Sequence, residues 1–432
     1  FYDISRAHFH APARRNVYMT PPPEDKSIKT GLAKMVKSMY GTRNAAQCFD
    51  AFAEDSMKKL GFKIGEYSPC IYYNPERAAI CVRHGDDFIL LAERSTQKWF
   101  LTALGEHMLT KHLGSLGPRK DLGDIQEVRC LNRLIRWVQP AFKGNAEAYV
   151  EWEPDPRHVE ILAAGLGLTE QSKALSTPGV RMPKAADTTL LSAADKEQYR
   201  SSTMRLAYLA LDRPELQYPS KELARSMQEP NRWDLEQLKR AVRFLVGAPR
   251  LVQRFGVQRM PQKLSACSDS DHAGCLRTRK STSCSKVFFG RHLIKSASST
   301  QGVIALSSGE SEFYAAVKTA SLGLGMISML KDMGVELNSP LDMKLDATAG
   351  IGIASRRGAG KIRHIHTPTL WLQRAVTDGK VAVGKIPGDK NPADLGTKFL
   401  DRNTIERCWE QCGYVLLKGR SQIALKAALG ES

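Results

Sequence analysis

The nine cysteines (positions 48, 70, 81, 130, 267, 275, 284, 408 and 412) include no CxxC pair. Their odd number and scattered spacing argue against a zinc site or a disulfide framework and fit a reducing, intracellular compartment. Cys408 and Cys412 have no histidine nearby and read as packing residues. No apolar run reaches the ~18 residues of a membrane span. A signal-peptide pattern is also missing, so no membrane partner is expected. Nor is there a repeat of solenoid period. Acidic residues are absent from two long stretches, 272–309 and 347–377. The first holds Arg277, Arg279, Lys280, Lys286, Arg291 and Lys295, and the second Arg356, Arg357, Lys361, Arg363 and Arg374. Over the whole chain 63 Lys and Arg face 45 Asp and Glu, a net charge of +18. A surplus clustered in this way points to a polyanionic partner, nucleic acid above all. The 432 residues, 42% of them hydrophobic, suffice for real cores. That length predicts roughly two to three domains.

Four short acidic motifs punctuate the basic C-terminal third: CSDSD (Asp269, Asp271), SSGESEF (Glu310, Glu312), KLDATAG (Asp346) and NPADLGTK (Asp394). Isolated carboxylates in a cationic surround suit divalent metals acting on a phosphodiester, with the basic flanks holding the backbone. Each carboxylate alone has a plainer explanation as a turn or cap residue. Ser307 with Glu310 three residues on reads as a capping box, which leaves Glu312 free to face a metal. Asp346 follows a short apolar strand, where open α/β sheets usually place their chemistry. Asp394, after Pro392, is expected to open a helix.

Upstream, residues 44–60 carry helical apolar spacing, with Gly61 as the C-terminal cap. Residues 78–92 form the clearest hairpin: Ala79–Val82 and Phe88–Ala92 flank a turn over Arg83, His84, Gly85, Asp86 and Asp87. Residues 113–185 give no clear pattern. Residues 186–195 read as a linker, and 196–247 as mostly helical with breaks at Pro214, Pro219 and Pro230. Composition changes around Met260-Pro261, the expected main domain boundary.

The stretches SDSDHAGCLRTRKSTSCSKVFF, IALSSGESEFYAAV, LDATAGIGIA, RHIH and NPADLGTK resemble the ribonuclease H domain of copia-type retrotransposon polyproteins, over about residues 262–400. The resemblance implies an Asp-Glu-Asp-Asp set, Asp269, Glu312, Asp346 and Asp394, holding two Mg²⁺ or Mn²⁺ ions. The preceding serine selects Asp269 over Asp271. The apolar residue and Ala-rich helix that follow select Glu312 over Glu310. The loop before the last Asp, KIPGDKNPAD, has no histidine, so His364 and His366 are candidates for proton shuttling or product release, beside a purely structural role.

Further upstream, FYDISRAHFH…VYMTPPPE, KMVKSMYGTRNAAQCFDAF and HGDDF resemble the polymerase motifs of the same family. They imply a second two-metal site at Asp3, Asp86 and Asp87. His84 stands where the family usually has Tyr, and Asn44-Ala45-Ala46 where it usually has Gln-Ala-Pro. The chain begins inside a motif and reads as a fragment lacking the fingers that would precede Asp3.

The expected fold is α+β. A partial reverse-transcriptase palm (1–115) leads to a mostly helical thumb and connection (116–260). A ribonuclease H-like α/β domain with a mixed five-stranded sheet (262–400) and a C-terminal tail (401–432) complete it. The implied function is two-metal cleavage of RNA in RNA–DNA hybrids. RNA-templated DNA synthesis from dNTPs would be added if fingers were supplied. RNA–DNA hybrid, RNA template and DNA are the implied partners. The cytoplasm is the implied location, with virus-like particles and the nucleus as further sites. The alternative is a decayed or domesticated remnant that holds nucleic acid without turnover, although carboxylates stand at all seven positions.

Overall fold

The computed structural model describes residues 1–25, 31–140, 147–169 and 171–427. The chain divides into two compact units: Phe1–Ile125 with Gly325–Glu336, and Gln126–Leu324 with Leu337–Ser432. Met260-Pro261, read as the main boundary, lies inside the second unit. One continuous core explains this. Leu238, Leu245 and Leu251 from before residue 260 are buried in the same cluster as Cys284, Leu395 and Trp409 from after it.

The first unit carries a six-stranded antiparallel sheet. Its order is Lys63–Ile64, Ile71–Asn74, Ala79–His84, Asp87–Leu91, Tyr2–Ile4 and Thr110–His112. Helices Ala45–Lys59 and Arg94–Gly105 bury Phe49, Met57, Phe100 and Leu104 against Tyr2, Tyr72 and Phe88 from the sheet. Gly61 ends the first helix at φ +77°, a left-handed conformation that a β-carbon would oppose. The hairpin turn is shorter than its sequence suggests. His84 pairs with Asp87, so only Gly85 and Asp86 turn, and Gly85 sits at φ +64°. That is the first central position, where a glycine relieves the strain of a tight hairpin.

The second unit holds two five-stranded sheets. One is antiparallel, in the order Tyr414–Leu417, Arg250–Gly256, Tyr149–Pro154, Arg133–Val138 and Glu127–Cys130. The stretch expected to be mostly helical therefore contributes four strands beside helices Arg157–Gly165, Ala193–Leu209, Gln217–Ala224 and Arg232–Gly247. The expected C-terminal tail supplies helix Arg402–Gln411 and the edge strand Tyr414–Leu417. Cys408, Trp409, Cys412 and Tyr414 tie that segment into the core.

The other sheet is mixed, in the order His292–Thr300, Thr282–Phe289, Leu264–Ser270, Leu341–Leu345 and Val381–Lys385. Its first three strands are antiparallel and its last two join in parallel, the arrangement expected of a ribonuclease H-like fold. Helix Ser308–Asp332 crosses over between the third strand of the chain order and the fourth. By length and composition alone this helix is long and apolar enough to span a membrane. It is the one such helix among the described residues, and the sequence reading had found none. Its first half is core: Phe313, Ala315, Ala316 and Ala320 are fully buried. Burying Phe313 alone stabilises by about 2 kcal/mol.

Candidate metal centres

In the mixed sheet, register brings two aspartates together. Ser268 pairs in parallel with Leu345, so Asp269 and Asp346 each lie one residue further along neighbouring strands. Asp394 arrives on the short 3₁₀ helix Pro392–Gly396. Asn391 fixes that turn: its Oδ1 accepts from Ala393 N at 3.1 Å, and its Nδ2 donates to the Ser268 carbonyl at 3.0 Å. The result is three carboxylates, Asp269, Asp346 and Asp394, with oxygens within 4.8 Å of one another. Among the described residues no other three acidic, histidine or cysteine ligands approach so closely.

Glu312 stands beside this set on helix Ser308–Asp332. Its Oε1 accepts from Ser270 N at 3.2 Å and Ser270 Oγ at 3.1 Å. Its Oε2 is buried with no hydrogen-bond partner. Helix Thr348–Ser355 comes very close here: a β-carbon on Gly350 would lie 2.9 Å from Glu312 Cβ. The small residues of the DATAG motif make that approach possible.

The electrostatics follow from burial and crowding. Burial, then the charge of Asp394, pushes Asp269 up to about 7. Burial, then Asp269 and Asp346, pushes Glu312 up to about 8. Asp346 is raised by burial and by Asp394. Three side chains unnoticed in the sequence hold the arrangement. Thr397 Oγ1 donates to Asp269 Oδ2 at 2.6 Å, and Lys398 Nζ meets Asp394 Oδ1 at 2.7 Å. Asn391 is the third. All three lie in the NPADLGTK motif itself, so the signal was present but carried no direction. Like charges held this close, with one carboxylate oxygen unpartnered, fit divalent cations better than any protein donor present.

The rejected neighbours are otherwise engaged. Asp271 Oδ1 accepts from Thr282 N. Glu310 completes the cap: its N–H donates to Ser307 Oγ at 3.2 Å and its Oε2 accepts from Leu306 N at 2.9 Å. His364 Nε2 lies 2.9 Å from that same Oε2, so His364 is held by Glu310 and not by the metal carboxylates.

In the first unit, Asp3 lies directly opposite Asp87 across the Tyr2–Ile4 and Asp87–Leu91 strands, and Asp86 is exposed in the turn. The Ile4 N–H donates to the Asp86 carbonyl at 3.0 Å. Buried Arg83 braces the turn through Gly85 O at 3.1 Å, Tyr72 OH at 3.2 Å and Asp50 at 2.9 Å. Burial, then Asp86 and Asp3, raises Asp87. The three carboxylates do not close to the spacing of the other centre.

The Retrovirus-related Pol polyprotein from transposon RE1 of Arabidopsis thaliana is 24% identical over 95% of this chain and 27% of its own length. The corresponding polyprotein from transposon TNT 1-94 of Nicotiana tabacum is 23% identical over 95% of this chain and 30% of its own. Over nearly its whole length the chain is thus similar to retrovirus-related Pol polyproteins of copia-type transposons. It spans under a third of the length of these Pol relatives. An uncharacterized mitochondrial protein of Arabidopsis thaliana is 31% identical over 38% of this chain and 68% of its own length. No family model matches the chain. Among solved structures, a ribonuclease H1 in complex with RNA/DNA hybrid covers 31% of this chain and 94% of its own. It is 12% identical, with a TM-score of 0.22.

Proposed function

We propose that the second unit of this Pol segment is a ribonuclease H that cleaves the RNA strand of RNA–DNA hybrids. The observation that carries this reading is the convergence of Asp269, Asp346 and Asp394 beside the unpartnered Oε2 of Glu312. Two divalent cations, Mg²⁺ or Mn²⁺, would be held by these four carboxylates and would supply water activation and stabilisation of the leaving 3′ oxygen. The protein's own part is preparation. Burial and crowding favour the protonated forms of Asp269 and Glu312 more than in an ordinary carboxylate, and cations bound there would displace those protons. Thr397 and Ser270 fix the carboxylates that they touch, and Lys398 offsets the charge of Asp394. The acid-free stretches 272–309 and 347–377 supply cations for the sugar–phosphate backbone, which suits recognition by A-form shape and 2′-OH groups more than by base sequence.

A second activity is supported by one pairing, Asp3 opposite Asp87 at a Gly-Asp turn. With Asp86 these residues would hold the ions for RNA-templated DNA synthesis from dNTPs.

The test is cleavage of a labelled RNA strand in an RNA–DNA hybrid, with Mg²⁺, Mn²⁺ and EDTA lanes and a single-stranded RNA control. Metal-dependent cutting of the hybrid alone is expected. Tight, salt-sensitive hybrid binding with no cutting in either metal would favour the remnant reading instead.

A further inference from the structure

A cavity of about 730 Å³ opens in the second unit and shares a wall with the metal centre. Lys398, which bonds Asp394, lines it, as does Asp271, two residues after Asp269. Its surface combines rings and cations. Tyr218 and Phe399 meet edge to face with centroids 4.9 Å apart, and Trp233 makes no ring contact among the described residues. The carboxylates on the lining are consumed internally. Asp271 accepts from Thr282 N, Glu222 from Lys221 Nζ, and Asp234 from Asn231 N at 3.0 Å. Two of the cations are not. Arg181 and Arg279 form no ion pair and no side-chain hydrogen bond among the described residues, and both are exposed at the cavity rim.

The loop carrying Arg279 is fastened to the facing helix. Arg225 Nη2 donates to Cys275 Sγ at 2.7 Å and to Thr278 Oγ1 at 3.2 Å. Arg277 Nη2 returns a bond to the Arg225 carbonyl at 3.3 Å. The rim is therefore held in place before any ligand arrives. An aromatic ring and guanidinium groups without carboxylate partners on one cavity lining match a base with its phosphates. In a duplex the bases are stacked on one another, so only an unpaired nucleotide offers its face. The cavity volume lies within the range of small-ligand sites.

We propose that this cavity is a subsite for an unpaired nucleotide of a single-stranded nucleic acid, its base against Trp233 and its phosphates on Arg181 and Arg279. The strand bound there would continue toward Asp394. Only that last placement rests on the nuclease reading; the binding itself does not.

Cys275 provides the readout. It lines the cavity and is half-buried. Burial pushes its thiol up, but hydrogen bonds from Thr278 and the charge of Arg225 outweigh this and hold it below the usual range. Cys70, in the first unit, is the other half-buried cysteine, and the remaining seven are buried. Site-resolved maleimide labelling in EDTA therefore reports occupancy of the cavity without any cleavage, with Cys70 as internal control. A short single-stranded oligonucleotide is expected to slow labelling of Cys275 at least several-fold and leave Cys70 unchanged. The double variant Arg181→Ala, Arg279→Ala should lose that protection while Cys70 reacts as before. Trp233→Leu should weaken it. Three results would overturn the proposal: no protection by the single strand, protection by a blunt RNA–DNA hybrid only, or equal protection by inorganic phosphate. Failed hybrid cleavage with intact protection would count against the nuclease reading alone.

Discussion

The two acidic centres differ in burial, and the difference bears on what each can do unaided. In the second unit Asp269 is 4% exposed and Glu312 5%, and both are pushed far above the carboxylate range. In the first unit Asp86 is exposed and Asp3 and Asp87 are half-buried, and burial, then Asp86 and Asp3, raises Asp87. A buried, crowded cluster stores repulsion that an entering cation relieves. An exposed set stores little and must draw its affinity from ligands such as a triphosphate. On the proposed reading, the buried centre of the second unit would take a cation unaided, and the exposed set of the first unit would need a ligand to do so.

The largest effect that would sharpen this contrast is loss of a central ligand. Losing even a partner of a metal ligand costs about 10–100-fold in metal affinity or activity. Asp269→Asn should therefore lower hybrid cleavage by more than about 10²-fold, measured as initial rate, while filter binding shows hybrid affinity unchanged or higher. Asp86→Asn should leave that rate intact and remove any primer extension. A loss of hybrid cleavage in Asp86→Asn would break the separation of the two centres.

Next in size is the orienting hydroxyl. Thr397→Val keeps the shape of the side chain but removes the donor to Asp269 Oδ2. It should weaken Mn²⁺ binding by about tenfold with the melting temperature little changed. The effect on Asp271→Asn should be smaller still. Asp271 serves the Thr282 backbone, so cleavage should stay within a few-fold of wild type.

The pH dependence of stability has a definite sign. Asp269 moves from an ordinary 3.8 to about 7, and Glu312 from 4.5 to about 8. Between those limits the folded chain binds more protons than the unfolded one. Stability is therefore greatest below pH ~4 for these two groups and falls as pH rises through 7 and 8. Metal-free protein should lose stability from this source between pH 5 and 9, on the order of several kcal/mol, at about 1.4 kcal/mol per pH unit for each group. Glu312→Gln should flatten the slope, and Mg²⁺ should reverse it. Chemical denaturation across that range measures both.

The part of the fold readable from residues alone is the part whose chemistry is local. The Ala79–Leu91 hairpin, helix Arg232–Gly247 and the strand before Asp346 all announce themselves through spacing. The antiparallel sheet of the second unit does not. Its strands bury Arg136, Glu151 and Glu153 as cross-strand ion pairs, Arg136 to Glu151 at 3.0 Å, so polar–apolar alternation is hidden. Its edge strand comes from residues 414–417, and no local pattern records a partner more than 150 residues away. The same limit applies at the metal centre. The four motif carboxylates were visible as residue types. Asn391, Thr397 and Lys398 lay in a quoted motif, yet their hydrogen bonds depend on where the chain folds back. Glu310 and Asp271 were set aside from their neighbours in sequence, and the structure shows what they do instead.

The central claim is that the buried cluster is built for divalent cations and waits partly protonated. Calorimetric titration with Mn²⁺ at pH 7, repeated in buffers of different ionisation enthalpy, counts the protons released on binding. The account predicts Mn²⁺ binding with net proton release, weakened strongly by Asp269→Asn. Binding without proton release, or equal binding by Asp269→Asn, would contradict it.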